Sequence, residues 1–137
     1  FTNALEITEK IKEKENKRLK KLQDYFIKKL QNLEKGIVLN GDLENRLPNN
    51  INITIPKIPS DLLVIELSAR GIMVSAKSAC KSGEEGESYV IKAIKPEADQ
   101  ENGSIRFSLG RSTTKEDLDF TLKSLKEILT KLKKWYN

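Results

Sequence analysis

The sequence predicts an α+β domain: a small mixed or antiparallel sheet with helices packed mainly on one face. Three observations carry this. Apolar residues recur at spacings of three and four near both ends of the chain, two inner segments alternate apolar and polar residues, and the order of elements is not a regular strand–helix repeat.

The elements follow in turn. Over roughly 4–35, Leu19, Leu22, Phe26, Leu30 and Leu33 make one helical stripe, and Gly36 is placed to stop it as a left-handed cap. Ile37-Val38-Leu39 is a short strand closed by the turn residues Asn40-Gly41-Asp42. Beyond Pro48, Ile51, Ile53 and Ile55 alternate with Asn52 and Thr54, the period of a half-buried strand, which Pro56 and Pro59 end. Ser60 is the expected cap of a helix reaching Arg70, with Leu62, Leu63, Ile65 and Leu67 available for burial and Gly71 as the stop. Ile72-Met73-Val74 is a third short strand, and Ser88 to Ile94 a short helix. Ile105, Phe107 and Leu109 alternate with Arg106, Ser108 and Gly110, a strand with one core face and one polar face. Thr113-Thr114-Lys115-Glu116 is a capping-box pattern opening a last helix whose stripe is Leu118, Leu122, Leu125, Leu129 and Leu132, with Trp135 near its end.

At 137 residues the chain fits one domain, large enough to fold without a disulfide or metal staple. Hydrophobic residues are 37% and charged residues 33%, the balance of a globular chain with a well-solvated surface. No apolar run approaches a membrane span and no secretory leader is evident, so no membrane partner is expected and the expected compartment is the cytoplasm. A first residue of Phe1 rather than Met is expected of a piece of something longer. The net charge of +5 sits largely in the terminal helices, where Glu9, Glu13 and Glu15 interleave with lysines, including Glu13 and Lys17 at helix spacing. That is the pattern of a solvated helix, and without aromatic or glycine-rich recognition motifs no nucleic-acid partner is expected.

The chain has one cysteine and no histidine. An internal disulfide, a Ser-His-Asp or Cys-His nucleophile pair and any imidazole-ligated metal are therefore excluded within it. Cys80 has two readings. A lone cysteine is commonly a small buried hydrophobe. Here, however, Ser75, Lys77, Ser78, Lys81, Ser82 and Gly83 surround it with only Ala76 and Ala79 apolar, and the two lysines favour a thiolate. Arg106 is likewise either an ordinary surface arginine or a fork for a carboxylate, mounted on a rigid strand. Arg111, after Gly110, reads as a loop or capping contact.

Five segments then occur in one order: Leu39-Asn40-Gly41-Asp42, Leu47-Pro48-Asn49-Asn50-Ile51-Asn52-Ile53, Ser78-Ala79-Cys80, Ser88-Tyr89-Val90, and Ser104 through Arg111 with Arg106 at its centre. Together they resemble the C-terminal small domain of cysteine desulfurases, in the class V aminotransferase family, over most of the chain from about Leu19. The resemblance implies the small domain of a fold-type I transferase dependent on pyridoxal phosphate, with residues 1–18 as a charged helical lead-in from a large domain and 19–137 as the small domain. It implies that Cys80 takes sulfur from an L-cysteine substrate whose carboxylate Arg106 holds, leaving L-alanine and an enzyme persulfide. A sulfur-acceptor or iron–sulfur scaffold protein would be the partner, and the full-length family is homodimeric.

Two departures accompany the resemblance. Lys77 stands where the cysteine loop of the family usually carries glycine, and the histidine–lysine motif that holds the cofactor is absent. The fragment is thus expected to bind no pyridoxal phosphate alone and to be inactive without the rest of the enzyme. Lys77 is no substitute for the Schiff-base lysine, since that role needs a desolvated pocket which a polar loop does not offer. Other readings are a stand-alone sulfur-relay or interaction module and the small domain of a selenocysteine lyase; a nucleic-acid-binding domain ranks last.

Overall fold

The structure, a computed structural model, describes residues 1–76, 89–94 and 103–136. In chain order it comprises α1 (Thr2–Leu33), β1 (Val38–Leu39), β2 (Asn50–Ile55), α2 (Ser60–Ser68), α3 (Tyr89–Ile94), β3 (Gly103–Ser108) and α4 (Lys115–Tyr136). The strands form one antiparallel sheet in the order β1-β2-β3. This is the α+β arrangement expected.

Strand alternation builds the core. Ile51 pairs with Phe107 and Ile53 with Ile105, and these four side chains are buried on one face together with Ile55. Onto that face α1 packs at β1 and β2, α2 packs at β3, and α4 lies against both helices. Phe26 of α1 meets Phe107 edge-on, ring centroids 5.1 Å apart at 85°. All five leucines expected along α4 are buried, while Trp135 is exposed. In α2, Leu63 and Leu67 are buried and Ile65 faces outward.

Helix α1 is a single helix with two characters. Leu19 is its first buried residue, and the turns before it are almost wholly exposed. The ion pairs that close along it are Glu9–Lys12, Glu15–Arg18 and Lys20–Asp24; Glu13 and Lys17 are not among them.

Several boundaries differ from the sequence reading, each for a local reason. The first helix ends at Leu33 with Glu34 already extended, so Gly36 sits in the following turn instead of capping the helix. Ser60 is the first helical residue of α2; Pro59 occupies the cap position, and no side-chain cap bond forms. Ile72-Met73-Val74 is not a strand. Gly71, at φ +77°, donates to Ser68 O and Ile72 donates to Leu67 O, so the helix terminus consumes the amide that a strand would need. Of residues 72–76, only Ser75 pairs with the sheet, as an isolated bridge to Arg106. The capping box of α4 lies one residue later than predicted. Thr114 and Asp117 exchange bonds, Asp117 N to Thr114 Oγ1 at 3.2 Å and Thr114 N to Asp117 Oδ2 at 2.9 Å, while Thr113 Oγ1 accepts from Gly110 N.

Candidate functional site: the polar face around Arg106

The second face of the sheet carries the opposite phase of the same alternation. Across β2 and β3 it presents Asn50 opposite Ser108, Asn52 opposite Arg106 and Thr54 opposite Ser104. Asn40, just past β1, joins this row: its N–H donates to Asn52 O at 2.9 Å, and its Nδ2 donates to Asn52 Oδ1 at 2.7 Å and to Thr54 Oγ1 at 2.8 Å. The face is more closed at its centre than the sequence suggests, because Asn40 and Ser104 are buried and Asn52, Thr54 and Arg106 are half-buried.

Arg106 is held through its backbone. It donates to Ser75 O at 2.7 Å and accepts from Ser75 N at 3.2 Å. Its guanidinium makes no hydrogen bond or ion pair among the described residues, although the chain is rich in carboxylates. A half-buried, always-charged fork on a paired strand is suited to an external anion.

Supports converge on the entrance of β2, on the exit of β3 and on the loop after β1. Gln23, fully buried on α1, donates from Nε2 to Leu47 O at 2.7 Å and to Asn50 O at 2.9 Å, fixing the entrance to β2. Arg18 reaches from α1 to the turn after β3, donating to Thr113 O at 2.7 Å, Gly110 O at 2.9 Å and Arg111 O at 3.1 Å. Glu15 grips the same guanidinium at 2.8 and 3.0 Å, and that bond holds its carboxyl below the usual range. Arg111 thus contributes its carbonyl to a loop contact, as expected of its place. In the loop after β1, Arg46 donates from Nε to Asp42 O at 2.7 Å and from Nη2 to Asn40 O. Asp42 Oδ1 accepts from the amides of Glu44 and Asn45, which lowers its pKa.

Arg106 therefore sits where the sequence reading put it, on the polar phase of a strand beneath which the core is packed. Cys80, with Lys77 and Lys81 beside it, lies outside the described residues. Cys80 follows Ser75 by five residues in the sequence, a span of at most about 18 Å of extended chain. Asn40, Asn52, Arg18 and Gln23 were not singled out from the sequence. Asn52 had a signal there, since it shares the phase of Arg106 in an alternating strand; Arg18 and Gln23 had none among the charged and polar residues of a helix.

Among the described residues no group of three acidic, cysteine or histidine side chains could hold a metal ion, and no helix is long and apolar enough to cross a membrane. No described lysine side chain is buried. The described residues therefore do not fit a Schiff-base cofactor, which needs a desolvated amine.

A three-stranded antiparallel sheet backed by helices, with an arginine on its other face whose guanidinium has no partner among the described residues, defines a small α+β domain. The chain belongs to the aminotransferase class-V family, whose model matches residues 1–120. It is 41% identical over 130 residues to the cysteine desulfurase IscS of Dictyoglomus turgidum, covering 95% of this chain and 33% of that protein. It is 36% identical to the cysteine desulfurase IscS of Methylobacillus flagellatus over 95% of this chain and 31% of that protein. Among solved structures it superposes on a NifS-like protein with TM-score 0.79 and 30% identity, over 93% of this chain and 32% of the other. The chain spans about a third of the length of the curated relatives it matches.

Proposed function

We propose that this chain is the C-terminal small domain of a cysteine desulfurase, with residues 1–18 as the lead-in from the large domain, and that it contributes the sulfur acceptor and the substrate-carboxylate fork. The observation that carries the reading is the reciprocal backbone pair between Ser75 and Arg106. It anchors the root of the Cys80 segment on the residue whose guanidinium has no acidic partner among the described residues.

In the reaction, Arg106 neutralises the carboxylate of L-cysteine and orients the amino acid. The thiolate of Cys80 attacks the substrate sulfur. A sulfur–sulfur bond forms, the substrate Cβ–S bond breaks, and Cβ keeps the electron pair and takes up a proton. The products are L-alanine and a persulfide on Cys80. Pyridoxal phosphate would be held by residues outside this chain in the whole enzyme and would supply the electron sink for cleavage of the Cβ–S bond. The persulfide then passes to a sulfur-acceptor or iron–sulfur scaffold protein, a delivery that asks for an acceptor cysteine on a segment able to move. The whole enzyme is read as a cytoplasmic homodimer, in keeping with the resemblance.

The experiment uses the full-length protein carrying Cys80→Ala. Mass spectrometry after incubation with L-cysteine should show one added sulfur on Cys80 in the unaltered protein and none in the variant. Alanine production without reductant should collapse in the variant. Alanine release at the unaltered rate from Cys80→Ala would overturn the role given to Cys80.

A further inference from the structure

Asn52 stands opposite Arg106 in the β2–β3 register. The pair is of the closer kind, since Arg106 gives both main-chain groups to Ser75 and the Asn52 carbonyl accepts from Asn40. Side chains opposed in a pair without mutual main-chain bonds have Cβ atoms about 4.5–5.5 Å apart. The Asn52 side chain is also held in one orientation. Its Oδ1 accepts from Asn40 Nδ2, and Asn40 is buried with the same amide donating to Thr54 Oγ1. With Oδ1 committed toward β1, the Nδ2 of Asn52 is left as a donor, and it has no hydrogen-bond partner among the described residues.

A carboxylate offers about four acceptor positions, of which a guanidinium fork takes two. In a half-buried site the remaining ones need donors, or the anion keeps part of its desolvation cost. A neutral amide supplies a donor without adding charge, so it improves binding while leaving release possible. A second cation in its place would hold a zwitterionic amino acid more tightly and would repel its ammonium group.

We propose that Asn52 is a second carboxylate-binding residue, whose Nδ2 donates to the α-carboxylate that Arg106 neutralises, and that Asn40 is the positioning residue that fixes the amide. This rests on the reading of Arg106 as the carboxylate fork. The row Asn40–Asn52–Arg106 runs from the residue after β1 across β2 to β3, so the sheet itself sets the spacing of the two donors.

The test compares Asn52→Ala, Asn52→Asp, Arg106→Ala and the Asn52→Ala/Arg106→Ala double variant in the full-length protein, with KM and kcat for L-cysteine and Tm. Asn52→Ala should raise KM roughly tenfold with kcat within about twofold. A loss of folded protein would lower kcat and leave KM alone, so the split separates binding from damage to the fold. Asn52→Asp keeps the shape but sets a carboxylate against Arg106 that competes with substrate, and should raise KM at least as far. The double variant should cost less than the two single changes summed, because one carboxylate serves both. If Arg106→Ala raises KM while both Asn52 variants leave it within twofold, the assignment of Asn52 is wrong and the reading of Arg106 stands. If Arg106→Ala leaves KM unchanged, the underlying reading fails with it.

Discussion

Arg18 on α1 and Gly110 in the turn after β3, 92 residues apart in sequence, are joined by a 2.9 Å hydrogen bond from guanidinium to carbonyl. The same side chain also holds the carbonyls of Arg111 and Thr113, so one residue stitches the first helix to the turn that follows the Arg106 strand. Three carbonyls and both oxygens of Glu15 arranged around one planar fork outnumber the three donors of an ammonium. Arg18→Ala and Arg18→Lys should therefore both lower Tm, by roughly 3–6 °C, with lysine recovering only a small part. A lysine variant melting with the unaltered protein would show that charge alone accounts for the contact.

The pairing of Ser75 with Arg106 has its own test. Ser75→Pro removes the N–H that donates to Arg106 O and disturbs the return bond from Arg106 N. Amide exchange at Arg106 should accelerate by at least tenfold, whereas Ile105 and Phe107, whose residues pair with β2, should stay protected. Unchanged exchange at Arg106 would mean that the bridge does not guard that amide.

Gln23 is a polar residue sealed in the core, where its amide completes the carbonyls of Leu47 and Asn50 at the start of β2. Leu47 O retains a bond from Asn50 N, but Asn50 O depends on Gln23 for the contact. Gln23→Ala should cost about 2–3 kcal/mol in urea denaturation through the lost bonds and the space left behind. Gln23→Glu should cost at least as much, since it replaces the donor by a buried anion facing carbonyl oxygens.

The box at the start of α4 makes stability depend on pH. Thr114 donates to Asp117 from both its amide and its hydroxyl, which holds the Asp117 carboxyl below its ordinary value of 3.8. The native state thus binds this proton less readily than the unfolded chain. The stabilisation is complete above the ordinary value and is lost as pH falls through the lower folded one. The Tm advantage of the unaltered protein over Asp117→Asn should be constant near neutrality and shrink below about pH 3.8. A gap of the same size at pH 3 and pH 7 would assign the effect to shape instead of charge.

Much of the fold was legible because it rests on periodicity. Ile51, Ile53 and Ile55 had to face one way and Arg106 the other, whatever lay around them. Local chemistry was legible to within about a residue: the box at Thr114 rather than Thr113, the strand contact at Ser75 instead of Ile72 to Val74. Those displacements arise because neighbouring residues of similar chemistry compete, and a single bond made elsewhere, such as Ile72 N to Leu67 O, decides between them.

The order of letters by itself determined which faces are apolar, where the chain turns and that Arg106 stands on a polar phase, since each follows from covalent geometry and side-chain chemistry within a few residues. Only the tertiary structure decided that Asn40, Asn52 and Arg106 form one row and that Arg18 and Gln23 serve distant loops. Those relations depend on strand register and helix placement, which are set by how all the buried side chains pack together and not by any one stretch of sequence.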